Sequence, residues 1–143
     1  MAARTQPHEH RPPDPASSAR RARTAIGRAH GRHRMFLIAT CAALVAAAIG
    51  DEATGYDGPG PFIYLAFAAA VALVPWRFTP LLAAVMSAFF LYGGLASAAF
   101  VHQLTDPGQA LGFTAGWLQM LGFAVAAGCA VASVVHARRP ASR

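Results

Sequence analysis

Between Met35 and His136 the chain carries almost no charge. Apart from Cys and Tyr, its only ionisable residues there are Asp51, Glu52, Asp57, Arg77, His102 and Asp106. Residues 107 to 135 contain no charged residue at all. A helix on the surface of a water-soluble protein must keep a polar face towards solvent, and these stretches have none. Over the whole chain 55% of residues are hydrophobic and 13% are charged, where a soluble domain has about a quarter charged. The expected fold class is therefore an all-α membrane protein, because helices satisfy every backbone hydrogen bond within the span.

Punctuation divides the apolar region into four spans, at about 35–50, 61–76, 80–102 and 107–135, within a transmembrane domain of residues 35–136. The first run is short, roughly 24 Å at the helical rise against a hydrocarbon core of about 30 Å. Arg34 and His33 can extend it by reaching the headgroups, and Asp51 with Glu52 reads as its stop. Gly55, Gly58, Pro59 and Gly60 mark a loop, and Pro61 suits the first turn of the second span. Thr79-Pro80 reads as an N-cap followed by a first-turn proline. Asp106-Pro107 repeats the same signal ahead of the fourth span. Short connections predict two antiparallel helical hairpins.

Residues 1–34 form an Arg-rich tail. Pro7, Pro12, Pro13 and Pro15 break its first half, and Ile26 is its only large aliphatic residue, so the tail is expected to be disordered and cytoplasmic. Residues 137–143 form a short tail on the same side. The chain has 12 Arg and no Lys. All of the Arg lie in the two tails and the 76–79 turn, whereas the 51–60 and 103–106 loops hold none and carry four of the six acids. Positive charge near span ends marks the cytoplasmic side. The expected location is the bacterial cytoplasmic membrane, multi-pass, with both termini cytoplasmic. Arg28, Arg32, Arg34, Arg77, Arg138 and Arg139 would lie at the membrane surface, and the basic tail would meet anionic headgroups. A cleaved signal ending near Ala46-Ala47-Ala48, with Arg20-Arg21 as a twin-arginine pair, is the rival. It is disfavoured because 34 residues is long for a signal's first region and the pair stands far from the apolar run.

Several chemistries lack their residues. A coupled exporter of the small multidrug-resistance kind would carry a Glu in its first span, where this chain reads Met-Phe-Leu-Ile-Ala-Thr-Cys-Ala-Ala-Leu-Val. Gln119, Tyr64 and Tyr92 could still line a polar path. Cys41 and Cys129 stand at similar depth but form no CxxC, and buried free thiols are expected of both. His102 and His136 fall at opposite ends of the spans, too far apart to share a haem. Asp51, Glu52, Asp57, His102 and Asp106 gather on the outer face but have no metal-ligand spacing, and His8-Glu9-His10 is too small a cluster for a metal. No catalytic residue, cofactor or metal site is expected, no nucleic acid is expected as a partner, and the chain is expected not to be an enzyme.

Small residues are the most regular feature. Gly112 and Gly116 form a GxxxG step, Gly122 to Ala126 continues it, and Ala42-Ala46-Gly50 repeats the spacing in the first span. Such steps let helices approach closely in lipid, so Gly112, Gly116, Gly122 and Ala126 are the expected packing residues. Gln119, Ser87, Ser97 and Ser133 are expected to bond between helices. Tyr56, Phe62 and Tyr64 on one side, with Trp76 and Phe78 on the other, read as interfacial belts.

Three stretches, Val74-Pro75-Trp76-Arg77-Phe78-Thr79-Pro80, Leu91-Tyr92-Gly93-Gly94-Leu95 and Gly116-Trp117-Leu118-Gln119-Met120-Leu121-Gly122, resemble small four-span membrane proteins of high-GC bacteria. That group carries no assigned activity, so the resemblance implies a fold and no site. The expected role is a non-enzymatic accessory or interaction protein of the membrane, with a membrane-protein partner or a second copy of itself. The alternative is a small transporter or channel subunit acting as an oligomer.

Overall fold

The computed structural model describes residues 23–55 and 58–138. Among them the chain is helical, with no strand. Its helices are α1 (Ala25–Arg28), α2 (Gly31–Ala53), α3 (Gly60–Leu73), α4 (Thr79–Ala96), α5 (Ala98–Thr105) and α6 (Ala110–Arg138). Three of these, α2, α4 and α6, are long and apolar enough to cross a membrane, and α3 is a shorter apolar helix of 14 residues.

The first and last long helices form the central pair. Their order is antiparallel: His33 meets Ser133 at one end, and Asp51 meets Gln119 towards the other. The two backbones come close because small residues face each other. A Cβ added at Gly122 would lie 2.8 Å from the Ala43 carbonyl oxygen and 2.9 Å from the Ala47 nitrogen. One added at Gly50 would lie 2.7 Å from the Ala115 carbonyl oxygen. Ala43, Ala47 and Gly50 are therefore the contact face of α2, whereas Ala42 is exposed. Ala126 is fully buried on α6. Gly112 and Gly116 receive a different neighbour, α5: added Cβ atoms there would meet Gln103 Nε2 at 2.6 Å and Leu104 Cδ2 at 2.9 Å.

The other helices pack on this pair. α3 lies against α2, where the Cys41 thiol donates to the Ala68 carbonyl at 3.3 Å, and α4 lies against α6. α3 and α4 touch each other little, but aromatic rings bridge them. Tyr64 stands edge-on to Phe90 and to Phe123, each at 4.8 Å, and Phe90 stacks on Phe123 at 5.6 Å. Tyr64 is 2% exposed, so it is a core residue and not a member of an interfacial belt.

Several element boundaries differ from those read in the sequence. Asp51 and Glu52 do not stop the first long helix, which continues to Ala53; Thr54 Oγ1 then donates to the Asp51 carbonyl at 2.6 Å, and Gly55 turns the chain with φ +71. Its 23 residues reach roughly 34 Å. Residues 25–28 and 31–34, placed in a disordered tail, are helical. Thr24 caps α1 by accepting from the Gly27 nitrogen at 3.0 Å, and Ile26 packs on the core. Residues 1–22 of the tail lie outside the described residues.

Helix α3 ends at Leu73 and not near 76, because Val74 precedes Pro75 and adopts the extended geometry which that position favours (φ -86, ψ 111). Thr79 is the first residue of α4 and not its cap; Phe78 holds the cap position and the Thr79 hydroxyl has no partner. Asp106 spends its carboxylate on its own turn, accepting from the Gly108 nitrogen at 3.0 Å and from Gln109 Nε2 at 3.2 Å, so α6 starts at Ala110.

The expected single helix 80–102 is two. It breaks at Ser97 (φ -85, ψ 112), whose hydroxyl accepts from the Phe100 nitrogen at 3.5 Å and so caps α5. Gly93 and Gly94 weaken the turn before the break, and serine is a favoured N-cap.

Large side chains face outwards. Ile49, Phe62, Val85, Phe89, Leu118 and Leu121 are all exposed, while the buried core is dominated by alanine.

Gly122→Ala should destabilise the chain by about 1–3 kcal/mol, the usual penalty for forcing extra volume into a packed contact. Gly128→Ala, with nothing within 4 Å of the new Cβ, should be neutral or stabilising by up to about 1 kcal/mol through helix propensity. Thermal unfolding in detergent followed by circular dichroism separates them; equal effects would remove the close α2–α6 contact from the account.

Candidate functional site

The register of α2 against α6 places the last turn of α2 opposite the first half of α6. At that level Gln119 Nε2 donates to Asp51 Oδ1 at 2.6 Å. Both side chains are buried, Asp51 8% and Gln119 7% exposed. The bond joins residues far apart in sequence and ties the two central helices near one end of the bundle. The Tyr64 hydroxyl interacts with both side chains. Gly60 sits over the same point: a Cβ there would run into Asp51 Oδ2 and lie 2.8 Å from the Tyr64 oxygen. Gly60 therefore lets the start of α3 come down on the pair.

These groups form one wall of a cavity of about 400 Å³. Asp51, Tyr64 and Gln119 supply polar groups, and Thr54 and Gln103 also lie on the lining. Phe90, Phe100 and Met120 supply apolar sides, and Gly93, Gly94 and Ser97 lie on it where α4 breaks. The break makes the cavity possible, since it turns α5 onto Gly112 and Gly116 of α6 and leaves space beside the two glycines of α4. Irregular backbone at membrane depth is tolerated where it lines a cavity or is covered by protein. Gln119 Oε1 is buried and has no hydrogen-bond partner. Buried acceptors are seldom left unpaired, since each costs about 1–3 kcal/mol.

Other polar residues are used elsewhere. Ser133 bonds within its own helix, to the Ala130 carbonyl at 2.7 Å; Ser97 caps α5; Ser87 is buried without a partner. Of the four polar residues expected to bond between helices through their side chains, only Gln119 does so. Tyr92 is exposed and is not on the cavity lining. His33 Nδ1 lies 3.0 Å from the Ser133 carbonyl, and His136 bonds to the Ala132 carbonyl and stacks near Phe36. Cys41 and Cys129 are both free thiols.

The outer-face acids do not converge. Asp51 turns inward to Gln119, Asp106 holds its own turn, His102 is exposed, and Asp57 lies outside the described residues. No three His, Cys, Asp or Glu side chains come together to hold a metal ion among the described residues. Arg28, Arg32 and Arg34 are exposed near the start of α2, and Arg77 is exposed with its guanidinium 4.7 Å from the Phe78 ring. The Arg138 side chain and Arg139 lie outside the described residues.

Comparison with protein-family models, with curated proteins and with solved structures finds no match for this chain. The site therefore rests on its own geometry.

Gln119→Leu should cost about 2 kcal/mol, the worth of a hydrogen bond to a charged group, and Gln103→Leu on the half-buried rim should cost less. Asp51→Leu combined with Gln119→Leu should be less damaging than the sum of the single changes, by about 1–2 kcal/mol. Denaturant unfolding of the four variants in detergent measures this, and strict additivity would separate the two residues energetically.

Proposed function

We propose that the chain is a four-span integral membrane protein with both termini in the cytoplasm, acting without catalysis as an accessory or interaction protein of the bacterial cytoplasmic membrane. The observation that carries this reading is the inverted distribution of side-chain volume. Alanine and glycine fill the interior while Phe62, Val85, Phe89 and Leu121 face out. In water such an exterior would be a large sticky surface. In lipid it costs nothing, and small residues are what lets helices pack closely there.

The fourth span follows from direction. α2 and α4 both run antiparallel to α6, so they run parallel to each other. If both cross the bilayer the same way, the chain must return between them, and α3 is the segment available. Its 14 residues reach roughly 21 Å. Local bilayer thinning and the extended residues after Leu73 accommodate the shortfall. The start of α2, the α3–α4 connection and the end of α6 then share one side, the side of every Arg. Exposed Arg28, Arg32 and Arg34 suit anionic headgroups there, each worth about 1 kcal/mol close to the surface. A membrane-protein partner or a second copy of the chain would cover part of the exposed apolar face.

A second reading, a small transporter or channel subunit acting as an oligomer, is favoured by one observation: a buried carboxylate facing a cavity within a helical bundle. Ionisable groups at membrane depth commonly mark substrate or ion paths. Solute flux into liposomes holding the purified protein distinguishes the two readings, and a partner that stays bound through purification favours the first.

With Cys41 and Cys129 replaced by Ala, Gly58→Cys and Gln109→Cys should react with a membrane-impermeant thiol reagent added to intact cells. Ser18→Cys and Ser142→Cys should react only after lysis. Labelling of Ser18→Cys in intact cells would invert the orientation.

A further inference from the structure

The polar groups on the cavity beside Asp51 are that carboxylate, the Gln119 amide and the Tyr64 hydroxyl, with Thr54, Ser97 and Gln103 also on the lining. Asp51 offers a carboxylate, of which Oδ1 already accepts from Gln119 Nε2. Gln119 Oε1 is an amide oxygen, buried in a side chain 7% exposed, with no partner. Gly60 packs against Asp51 Oδ2 and the Tyr64 hydroxyl so closely that no side chain could be added there, so the carboxylate meets the cavity from its other side. No Arg or His side chain lines the cavity among the described residues. A carboxylate there thus has no protein cation opposite it among the described residues.

The remaining walls are apolar and partly aromatic. Phe90 and Phe100 border the cavity, and the Tyr64 ring stands 4.8 Å from Phe90. Aromatic faces attract organic cations. A volume of about 400 Å³ falls in the range of small-molecule sites, which are mostly apolar with a few convergent polar groups. One carboxylate with one amide oxygen is too sparse a set for a divalent metal, which wants six or more oxygens.

We infer that this cavity binds a small organic ammonium ion, a protonated primary or secondary amine with an apolar or aromatic body. Its N–H groups donate to Asp51 and to Gln119 Oε1, and its body lies along Phe90 and Phe100. N–H donors are required because the carboxylate of Asp51 and the unpartnered Gln119 Oε1 are acceptors. A quaternary ammonium supplies the charge but leaves Gln119 Oε1 unpaired, and a neutral alcohol supplies one donor but no charge. The inference concerns binding alone; it stands apart from the topology and from whether the ligand crosses the membrane.

The test uses the full chain purified in a neutral detergent at neutral pH, with 2-phenylethylammonium as the probe, followed by isothermal titration calorimetry. The controls are 2-phenylethanol, which has the same body without the charge, and 2-phenylethyl-trimethylammonium, which has the charge without N–H. Saturable binding is expected for the primary amine, about tenfold or more tighter than for either control, as loss of a charge-assisted hydrogen bond implies. Asp51→Asn keeps the shape and removes the charge, and should weaken binding about tenfold or more. Gly93→Leu gives a second test that leaves the polar groups alone: Gly93 lies on the cavity lining and its new Cβ meets nothing within 4 Å, so the helix should be kept while the added bulk blocks the probe. Circular dichroism confirms folding of each variant, and Gly93→Leu decides where Asp51→Asn does not fold. Absence of saturable binding, equal binding of either control, or undiminished binding by folded Gly93→Leu would overturn the assignment.

Discussion

At Gly122 and at Gly50 the backbones of α2 and α6 approach so closely that a single methyl group would collide with the neighbouring main chain. This contact sets the register of the whole bundle. Lipid offers no hydrophobic drive for helices to associate, so close packing and a few polar bonds must supply the attraction. Alanine and glycine on facing surfaces supply it by bringing main-chain atoms into dispersion contact along the seam. Once Gly122 meets Ala43 and Ala47, the antiparallel geometry leaves Gly50 against Ala115 and Gln119. The Asp51–Gln119 bond is then a consequence of the seam's register, and it also guards that register. A slip of α6 by one residue would turn Gln119 off the seam and leave a buried carboxylate unpaired, at a cost of several kcal/mol.

The same alanine-rich economy has a second effect. Helices whose facing surfaces are small carry their bulk on the outside, so the outer helices α3 and α4 lie against α2 and α6 but meet each other mainly through a few rings. Tyr64, Phe90 and Phe123 form the bridge. Where those rings end, towards Gly93 and Gly94, there is no further side chain to fill the gap. A void of that kind forfeits dispersion contacts on all its walls, and the broken helix at Ser97 gives up backbone bonds as well. Both costs fall at the place where the chain also holds a buried carboxylate and an unpaired amide oxygen. Strain and unsatisfied polar atoms concentrated together are characteristic of binding sites.

Much of the architecture was legible in the sequence. The uncharged runs revealed the long apolar helices, because lipid tolerates no polar face and the signal extends over many residues. Proline and glycine located the connections to within a few residues. The site was not legible, for three identifiable reasons. Asp51 reads as a stop signal because an acid at the end of an apolar run normally faces water; only the position of α6 reveals that it turns inward. Tyr64 reads as an interfacial aromatic for the same reason, since its distance from the span end says nothing about which face it occupies. Ser97 reads as a polar group that bonds between helices, although Gly93, Gly94 and a serine with N-cap potential were together a signal for the break. Gln119 was singled out as an interhelical group, but its partner lies on a distant helix, and a single sequence carries no trace of that pairing.

The position of the polar pair along the bundle bears on what can reach it. The Arg side chains that are described, Arg23, Arg28, Arg32, Arg34 and Arg77, lie towards the opposite end, by the start of α2 and the α3–α4 connection. At bundle length they are several Debye lengths away from Asp51, too far to neutralise it through water. The Asp51 end holds Glu52 and Asp106 as well, so the local potential there is negative. A cation approaching from that side is drawn towards the cavity mouth, where the aromatic walls and the unpaired acceptors lie behind the first layer of charge. An anion is repelled before it reaches them. The segregation of charge along the bundle thereby also selects the sign of any ligand the cavity can admit: among the described residues arginine lies at one end of the long helices and the acids at the other.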